Sequence, residues 1–533
     1  MSNINLYEHQ KRALKFIEKR EKEGPLRGGI LALKMGLGKT AIMLEYITRE
    51  KSDNKTLIAC SKTVLGEWIT EHQKFFTNLK ILIYHREFCR KEYNLLSIDM
   101  INQYDVVLTT YDVLLSIDRK SKYSENICVR GEEGIHKDKI IAFQQSLKCP
   151  EVPENNPYGP HILYCYPWKR FITDESQRIA NSKTQTFRAI TSLYSNYRWC
   201  LTGTPIRNGD KDMWSLLFFC GMETPNNPKN YKYSHFKDLK NIILVMDYKD
   251  ANMKITDCTH HVEKINFNEA EYKIYKYYIK ELWDAYDRFI RKQGEFAGDE
   301  GYALILGLFC RLRQICISPY LICDESKRNK EYKSTELANL DEKYLEQYAH
   351  NKQLSGYKSS KILKIKEIIS NIPSSDKIII FSSFSSCLDL IYDALKDKYQ
   401  MIIVDGSITG KKRFRFLNEF RNNPKYRILL CNFRVGNEGL NLTIANHVIC
   451  VELWWSPTLV NQAISRSWRI GQTKNVHSYK IIVDKSIEES IEKLCKAKES
   501  ISNSYLYGNT SSRISKPRLD KHTLGKIIGY YDY

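Results

Sequence analysis

Two α/β lobes, each built on a doubly wound parallel sheet, are predicted for this chain of 533 residues. Two observations carry the prediction. Apolar runs of strand length recur, each followed by loop residues and then a helical pattern, and that alternation marks parallel strands joined by crossover helices. The runs also fall into two series with a long helical interval between them. A chain of this length has room for two to four cores, so two lobes suit it.

In chain order the first series is Leu31–Leu33, Thr56–Cys60, Ile81–Tyr84, Val106–Thr109, Arg170–Thr173 and Trp199–Thr202. The second is Lys377–Phe381, Met401–Val404, Arg427–Cys431, His447–Val451 and Ser478–Val483. Between them Tyr272, Tyr275, Tyr278, Ile279 and Leu282 recur at helical spacing over Glu269–Arg291, and a second helix is expected over Tyr302–Ile315. The aromatic stripe is expected in a core. Residues 118–160 are polar and rich in Gly and Pro, and they read as an excursion inserted into the first lobe. The expected divisions are 1–255 for the first lobe, 256–500 for the helical part and second lobe, and 501–533 for a loosely held polar tail.

Composition narrows the class. Charged residues are 27 % and hydrophobic residues 42 %, as in ordinary globular domains. No apolar run reaches the roughly 18 residues of a membrane span, so no membrane association is expected. Met1–Asn5 lacks a basic stretch leading into an apolar one, so a secreted protein is not expected. Lys and Arg exceed Asp and Glu, 82 to 62, for a net charge of +20, which suits a polyanionic partner. The 15 Cys include no Cys-x-x-Cys and fit buried thiols of a reducing compartment. Cys258-Thr259-His260-His261 lacks a second ligand pair at zinc spacing.

The chemistry begins at Met35-Gly36-Leu37-Gly38-Lys39-Thr40, set between a strand and a helical pattern. Glycines there let backbone N–H groups turn inward around an anion, Lys39 can reach the β- and γ-phosphates, and the Thr40 hydroxyl can ligate Mg²⁺. The first Gly of the full phosphate-loop spacing would fall at Leu33. A second strand ends in Asp174-Glu175, which puts both carboxylates at the sheet's carboxyl edge, where α/β ligands bind. Asp174 is expected to hold Mg²⁺, and Glu175 to activate the attacking water. A third strand ends in Thr202-Gly203-Thr204-Pro205, small hydroxyl residues suited to sensing a γ-phosphate. In the second series Arg466 and Arg469, three apart, are expected on one helix face, where guanidinium forks can stabilise phosphoryl-transfer charge.

These elements, in this order, resemble the SWI/SNF-like branch of superfamily-two helicase-related DNA-dependent ATPases. The resemblance runs from Leu6 to about Ser490. Leu6-Tyr7-Glu8-His9-Gln10 resembles the adenine-reading element, with Gln10 as the reader. Ala59 through Trp68 resembles motif Ia, Leu108 through Leu114 motif Ib, and Trp199 through Asn208 motif III. Phe381-Ser382-Ser383-Phe384 resembles motif IV, with Asp405-Gly406-Ser407 after it. Gly436 with Gly439-Leu440-Asn441-Leu442-Thr443 resembles motif V, and Trp454 through Gln472 motif VI with its lead-in. Arg311 through Cys316, Pro319 and Ser359-Ser360-Lys361 resemble the branch that often carries a RING insert. Residues 324–358 hold no Cys, so no RING is expected.

The resemblance implies two RecA-like lobes with helical protrusions, ATP and Mg²⁺ as cofactors, and double-stranded DNA as partner. ATP would sit between the lobes on Gln10, Met35 through Thr40 and Gly439, with Arg469 and Arg466 as cis arginine fingers. Gln177, Thr202, Gly203 and Thr204 would couple hydrolysis to motion. Lys62, Thr110, Ser382 and Arg434 would contact DNA. The implied function is a duplex-DNA translocase. A strand-separating helicase and a catalytically weak ATP-binding scaffold are the alternatives. The implied location is intracellular, in the nucleus or a viral replication or transcription compartment, and the sequence names no protein partner. Four positions depart from the family pattern: Leu33-Lys34 before the phosphate loop, Ser176-Gln177 after the carboxylates, Asn437-Glu438 within motif V, and Ser465 before the first arginine.

Overall fold

A computed structural model of the chain describes residues 5–23, 28–50, 55–90, 93–120, 159–207, 210–222, 241–251, 255–291, 299–323, 341, 359–408, 410–433, 442–507 and 521–530. Two compact units divide it, Met1–Lys254 and Ile255–Tyr533.

The first unit opens with α1 (Glu8–Glu23), β1 (Gly28–Leu33), α2 (Lys39–Arg49), β2 (Thr56–Cys60), α3 (Lys62–Phe75) and β3 (Ile81–Ile83). It continues with α4 (Ile98–Asn102), β4 (Val106–Thr110), α5 (Tyr111–Lys120), α6 (Ile162–Cys165) and β5 (Trp168–Asp174). The elements α7 (Gln185–Thr191), β6 (Ser195–Thr202), α8 (Asp210–Phe219) and β7 (Ile243–Met246) complete it. Among the described residues these strands form one sheet in the order β3-β4-β2-β5-β6-β1-β7, with every pairing parallel. Strands β1, β2 and β4 are buried along their whole length, as a parallel sheet covered on both faces requires. Leu31, Ile58, Leu108, Ile172 and Leu201 form the sheet side of one core cluster, against Leu14 and Ile17 of α1, Ile42 of α2 and Trp68 of α3.

A buried ion pair ties several elements of that unit together. Glu21 of α1 accepts from Arg170 through Nε (2.7 Å) and Nη2 (2.6 Å), from Trp199 Nε1 (2.9 Å) and from the Tyr46 hydroxyl (3.1 Å). Both carboxylate oxygens are thus used, and α1 is fixed to β5, β6 and α2 at once. The Arg170 side chain is 1 % exposed and that of Glu21 4 %, so neither charge has water as an alternative partner.

The second unit begins with β8 (Cys258–Ile265), α9 (Glu269–Ile290), α10 (Asp299–Ile317), α11 (Tyr320–Cys323) and α12 (Ser360–Asn371). Next come β9 (Ile378–Ser382), α13 (Ser385–Leu395), β10 (Met401–Val404), α14 (Gly410–Asn422), β11 (Ile428–Asn432) and β12 (His447–Cys450). Last are α15 (Pro457–Ile464), β13 (Val476–Val483), α16 (Ile487–Tyr507) and α17 (Lys521–Ile527). Its described strands pair in parallel in the order β10-β11-β9-β12-β13-β8. Asn268 and Glu271 form a capping box at the start of α9. Glu271 also accepts from the Ser360 N–H and hydroxyl, at 3.0 and 2.6 Å, which ties α9 to α12. Lys361 is fully buried and donates to Glu488 at 2.7 Å and to the Val451 carbonyl at 2.9 Å. The aromatic stripe of α9 splits: Tyr275 and Tyr278 are buried with Leu282, while Tyr272 is 41 % exposed.

Two expectations change. Strands β7 and β8 were not expected. β8 is an edge strand whose residues alternate in exposure, so it lacks the continuous apolar run of the buried strands. The tail is not uniformly loose and polar: α16 runs to Tyr507, and Leu524, Ile527 and Ile528 are buried in the cluster that holds α9 and α10. Those three apolar residues fall on one side of a short helix, too short for its period to stand out from the polar residues before it. The excursion read at 118–160 lies almost wholly outside the described residues.

Replacing Glu21 by Gln leaves the buried Arg170 guanidinium without the carboxylate it hydrogen-bonds, with Glu50 3.8 Å away. The expected loss is about 3–5 kcal/mol for the first unit, measured by urea unfolding. The double variant Glu21→Met with Arg170→Met should lose less than Glu21→Gln alone, because no charge then remains to be buried.

Candidate nucleotide-binding site

Strand β6 lies between β5 and β1, so the loops leaving these three strands are neighbours at one carboxyl edge. Leu201 is in register with Asp174 on one side and with Leu31 on the other. The phosphate loop, the paired carboxylates and Thr202-Gly203-Thr204 therefore emerge side by side, where a parallel sheet places its ligands.

The loop from Lys34 to Gly38 turns β1 into α2. Gly36 and Gly38 both have left-handed backbones, with φ of 83° and 79°. A side chain at Gly38 would also collide with the amide of Gln10. Gly38 caps α2 with no side-chain hydrogen bond, so the first N–H groups of that helix keep their capacity for an anion. Lys39 Nζ donates to the Leu33 carbonyl at 3.0 Å, and Thr40 is half-buried in the first turn. Gln10 accepts from the Tyr7 N–H at 3.0 Å and reaches the loop through its amide. Met35 and Leu37 contribute main-chain groups: the Met35 carbonyl accepts from the Tyr248 hydroxyl at 2.8 Å, and the Leu37 carbonyl lies 3.1 Å from His9 Nε2.

At the end of β5 Asp174 is 4 % exposed. Its Oδ2 accepts from Trp68 Nε1 (2.8 Å), its Oδ1 from the Glu175 N–H (2.8 Å), and its carbonyl from the Tyr111 hydroxyl (2.8 Å). Burial first, and then the adjacent Glu175, push its pKa up to about 7, while Lys39 and Trp68 act against that. Glu175 takes a left-handed backbone, φ 51° and ψ 51°, which is uncommon for a residue with a side chain. This turn separates its carboxylate from that of Asp174. Gln177 Nε2 donates to the Glu175 carboxylate, and Gln177 Oε1 accepts from the Thr202 hydroxyl at 2.8 Å. Thr202 Oγ1 in turn accepts from the Thr204 N–H at 3.0 Å. A continuous chain of hydrogen bonds thus runs from Glu175 through Gln177 and Thr202 to Thr204. The β6 turn lies beside the loop: a Cβ at Gly203 would meet the Leu33 carbonyl and Met35 at 3.5 Å, an ordinary van der Waals contact. Thr204 Oγ1 and Arg207 Nε are buried and have no hydrogen-bond partner among the described residues. Burial lowers the pKa of Arg207, with Glu175 and Asp212 acting against that.

In the second unit the helix-face expectation for the arginines fails. Helix α15 stops at Ile464, and Arg466 and Arg469 lie in the turns after it. The Ser465 hydroxyl donates back to the Gln462 carbonyl at 2.7 Å, and Trp468 Nε1 donates to the Thr256 carbonyl at 2.7 Å, so the segment leaves the helical path. Arg466 is 6 % exposed and Arg469 half-buried.

The DNA-contact residues separate as well. Lys62 is exposed at the start of α3 and paired with Glu87 at 2.5 Å. Thr110 and Ser382 are fully buried. Thr110 Oγ1 accepts from the Val113 N–H at 3.3 Å, and Ser382 Oγ from the Phe384 N–H at 3.1 Å. Their hydroxyls serve the turns that leave β4 and β9, so neither is presented to a phosphate. Gly439 and Arg434, like the rest of 434–441, lie outside the described residues.

Sequence reasoning missed Trp68, Tyr111, Tyr248 and His9 as site residues. For Trp68 a signal was available, because an indole N–H in a buried helix face needs an acceptor. Tyr248 had none, being more than two hundred residues from the loop it touches.

Comparison with known proteins shows the family. Residues 9–321 match the SNF2-related domain and residues 360–471 the helicase conserved C-terminal domain. A helicase-named protein of Invertebrate iridescent virus 6 is 37 % identical over 99 % of this chain and 95 % of its own length. A protein named as a global transactivator, from Orgyia pseudotsugata multicapsid polyhedrosis virus, is 29 % identical over 93 % of this chain and 89 % of its own. The DNA repair protein RAD5A of Arabidopsis thaliana is 25 % identical over 82 % of this chain and 49 % of its own length. The chain belongs to the SNF2-related family of helicase-related, DNA-dependent ATPases.

Proposed function

We propose that the protein is an ATP-driven translocase on double-stranded DNA. The observation that carries this is the hydrogen-bonded chain Glu175–Gln177–Thr202–Thr204 beside the phosphate loop. It gives the residue suited to activating water a fixed link to a neighbouring strand, as a motor needs if hydrolysis is to be felt elsewhere. The net charge of +20 supports a polyanionic track. Membership of the SNF2-related family favours tracking along a duplex over strand separation. The two viral relatives support a nuclear or viral replication or transcription compartment.

The site's residues fit ATP and Mg²⁺. The α2 N-terminus has no side-chain cap, and the buried Thr204 Oγ1 and Arg207 Nε have no hydrogen-bond partner among the described residues, so polar groups remain for phosphate oxygens. Asp174 is a buried carboxylate whose ionisation a cation would favour, and Thr40 adds a hydroxyl; these two would hold the ion. Bound Mg²⁺ would neutralise charge on the phosphates. Lys39 and the loop N–H groups bind the phosphates, and Gln10 reads the adenine. Glu175 accepts the proton of the attacking water while Gln177 orients its carboxylate. Arg469, with Arg466, is assigned to the charge that develops in phosphoryl transfer. DNA is held chiefly through its phosphates.

Glu175→Gln should bind ATP but turn over about 10²–10⁴-fold more slowly, the range for loss of a general base. Lys39→Ala should lose nucleotide affinity as well. Steady-state ATPase rates and nucleotide binding on both variants check this, and wild-type turnover in Glu175→Gln would remove Glu175 from the mechanism.

On DNA, the protein should displace the third strand of a triplex in an ATP-dependent way and leave a forked duplex paired. Efficient unwinding without triplex displacement would favour the helicase alternative. Log K for duplex DNA should fall with log salt by about 0.9 per phosphate contacted.

Gln177→Ala should lower DNA-stimulated turnover more than basal turnover, because the link to Thr202 is cut while Glu175 remains. In Gln177→His the ring loses its acceptor on protonation, so coupling should fall as pH drops below about 6.5. The stimulated-to-basal ratio, measured from pH 5.5 to 8, tests both. An unchanged ratio in an active Gln177→Ala enzyme would retire the coupling role. Near-zero rates in the wild type, with and without DNA, would instead favour the scaffold.

A further inference from the structure

The phosphate loop is held from outside by two side chains with no assigned part in nucleotide chemistry. His9, on α1, is 3 % exposed and has Nε2 3.1 Å from the Leu37 carbonyl. A carbonyl only accepts, so the proton of the neutral ring must sit on Nε2. Nδ1 is buried and has no partner among the described residues. Tyr248, in the turn after β7, donates its hydroxyl to the Met35 carbonyl at 2.8 Å. The two side chains thus reach alternate peptides of one loop from different elements.

Peptide planarity gives these contacts a consequence. In a trans peptide the N–H of the next residue points opposite to the carbonyl. A hydrogen bond that fixes the Met35 carbonyl therefore fixes the N–H of Gly36, and one that fixes the Leu37 carbonyl fixes the N–H of Gly38. Those glycines are the two left-handed residues of the loop. Glycine turns over such a peptide at little cost, so without outside contacts either N–H could rotate away. Held as they are, each N–H stays on the side of its peptide opposite the fixed carbonyl.

We propose that His9 and Tyr248 are positioning residues for nucleotide binding, which fix the Leu37 and Met35 carbonyls so that the Gly38 and Gly36 N–H groups face the phosphates before ATP arrives. The inference rests on the assignment of this loop to ATP.

The test uses the full chain with His9→Phe, His9→Gln, Tyr248→Phe and Lys39→Ala. A fluorescent ADP analogue gives Kd, ATPase assays with duplex DNA give KM and kcat, and thermal melts without nucleotide give Tm. His9→Phe and Tyr248→Phe should each raise Kd and KM about three- to tenfold, as expected for one hydrogen bond, and raise KM more than they lower kcat. Nucleotide-free Tm should stay within a degree or two of wild type. Gln has an amide N–H that can replace Nε2–H, so His9→Gln should recover most of the affinity. The proposal is overturned if Kd and KM do not move in Tyr248→Phe, or if affinity falls only as far as Tm does. Lys39→Ala separates the two levels. Unchanged Kd there would remove ATP from this loop altogether, whereas lost affinity in Lys39→Ala beside wild-type Tyr248→Phe would overturn only the positioning role.

Discussion

The parallel pairing of β6 between β5 and β1 is the constraint on which the site depends. Parallel strands all end at the same edge, and neighbours in the sheet bring their loops within hydrogen-bonding reach. Here the three neighbours supply a phosphate cradle, two carboxylates and a pair of hydroxyls. The carboxylates are then separated by backbone and not by distance along the chain. Asp174 ends its strand in regular pairing and remains buried, while the left-handed turn at Glu175 sends the next side chain elsewhere. Two adjacent residues thereby acquire different surroundings and different chemistry. Asp174 is enclosed by Trp68, and Glu175 is tied to Gln177.

Such a site needs rigid support, because a hydrogen-bonded chain transmits a change only if its ends are fixed. In the first unit the fixing is ionic as well as apolar. Glu21 uses both oxygens on Arg170 and adds Trp199 and Tyr46, so four elements share one buried charge. The second unit repeats the device with Lys361 and Glu488, where Glu488 also accepts from the Val483 N–H at 3.0 Å. Desolvation makes a buried pair a poor source of net stability, but misplacing either partner is costly. The benefit is registry: α1 cannot slide along β5, nor α12 along the end of β13, without stranding a charge.

What could be read from the sequence follows from this physics. Buried parallel strands must be continuously apolar, so β2, β4, β9 and β11 announced themselves. The edge strand β8 carries Thr259, His260, Glu263 and Lys264, with alternating exposure, and resembles a loop. That Lys39, Thr40, Asp174 and Glu175 lie at one edge of the sheet was legible because each pair follows an apolar strand run. Contacts made across the fold left no such trace. Arg466 and Arg469 show the opposite error: their spacing suits a helix, but the helix ends at Ile464 and both lie in the turns that follow. Thr110 and Ser382 were misplaced for a related reason. A hydroxyl at the end of a strand can serve a ligand or its own turn, and both here serve the turn.

Gln177 bears on how far the family departures alter the machine. It occupies a position where the resembled family usually has His, and His would titrate near neutrality. An amide donates and accepts at once at any pH that the fold survives, and both capacities are in use, one on Glu175 and one on Thr202. A neutral imidazole can also do both, but only in one tautomer, and a protonated one cannot accept. The substitution therefore keeps the connection and removes its dependence on protons. The neighbouring departure fits the same logic. Ser176 donates to the Thr173 carbonyl at 2.7 Å and lies 3.0 Å from the Leu201 carbonyl, so its hydroxyl joins β5 to β6 at the root of the turn that carries Glu175. Where the family usually has Ala and His, this chain has two side chains that hydrogen-bond across the same pair of strands. They tie the turn at both ends, and the links they add, an amide and a hydroxyl, do not themselves titrate.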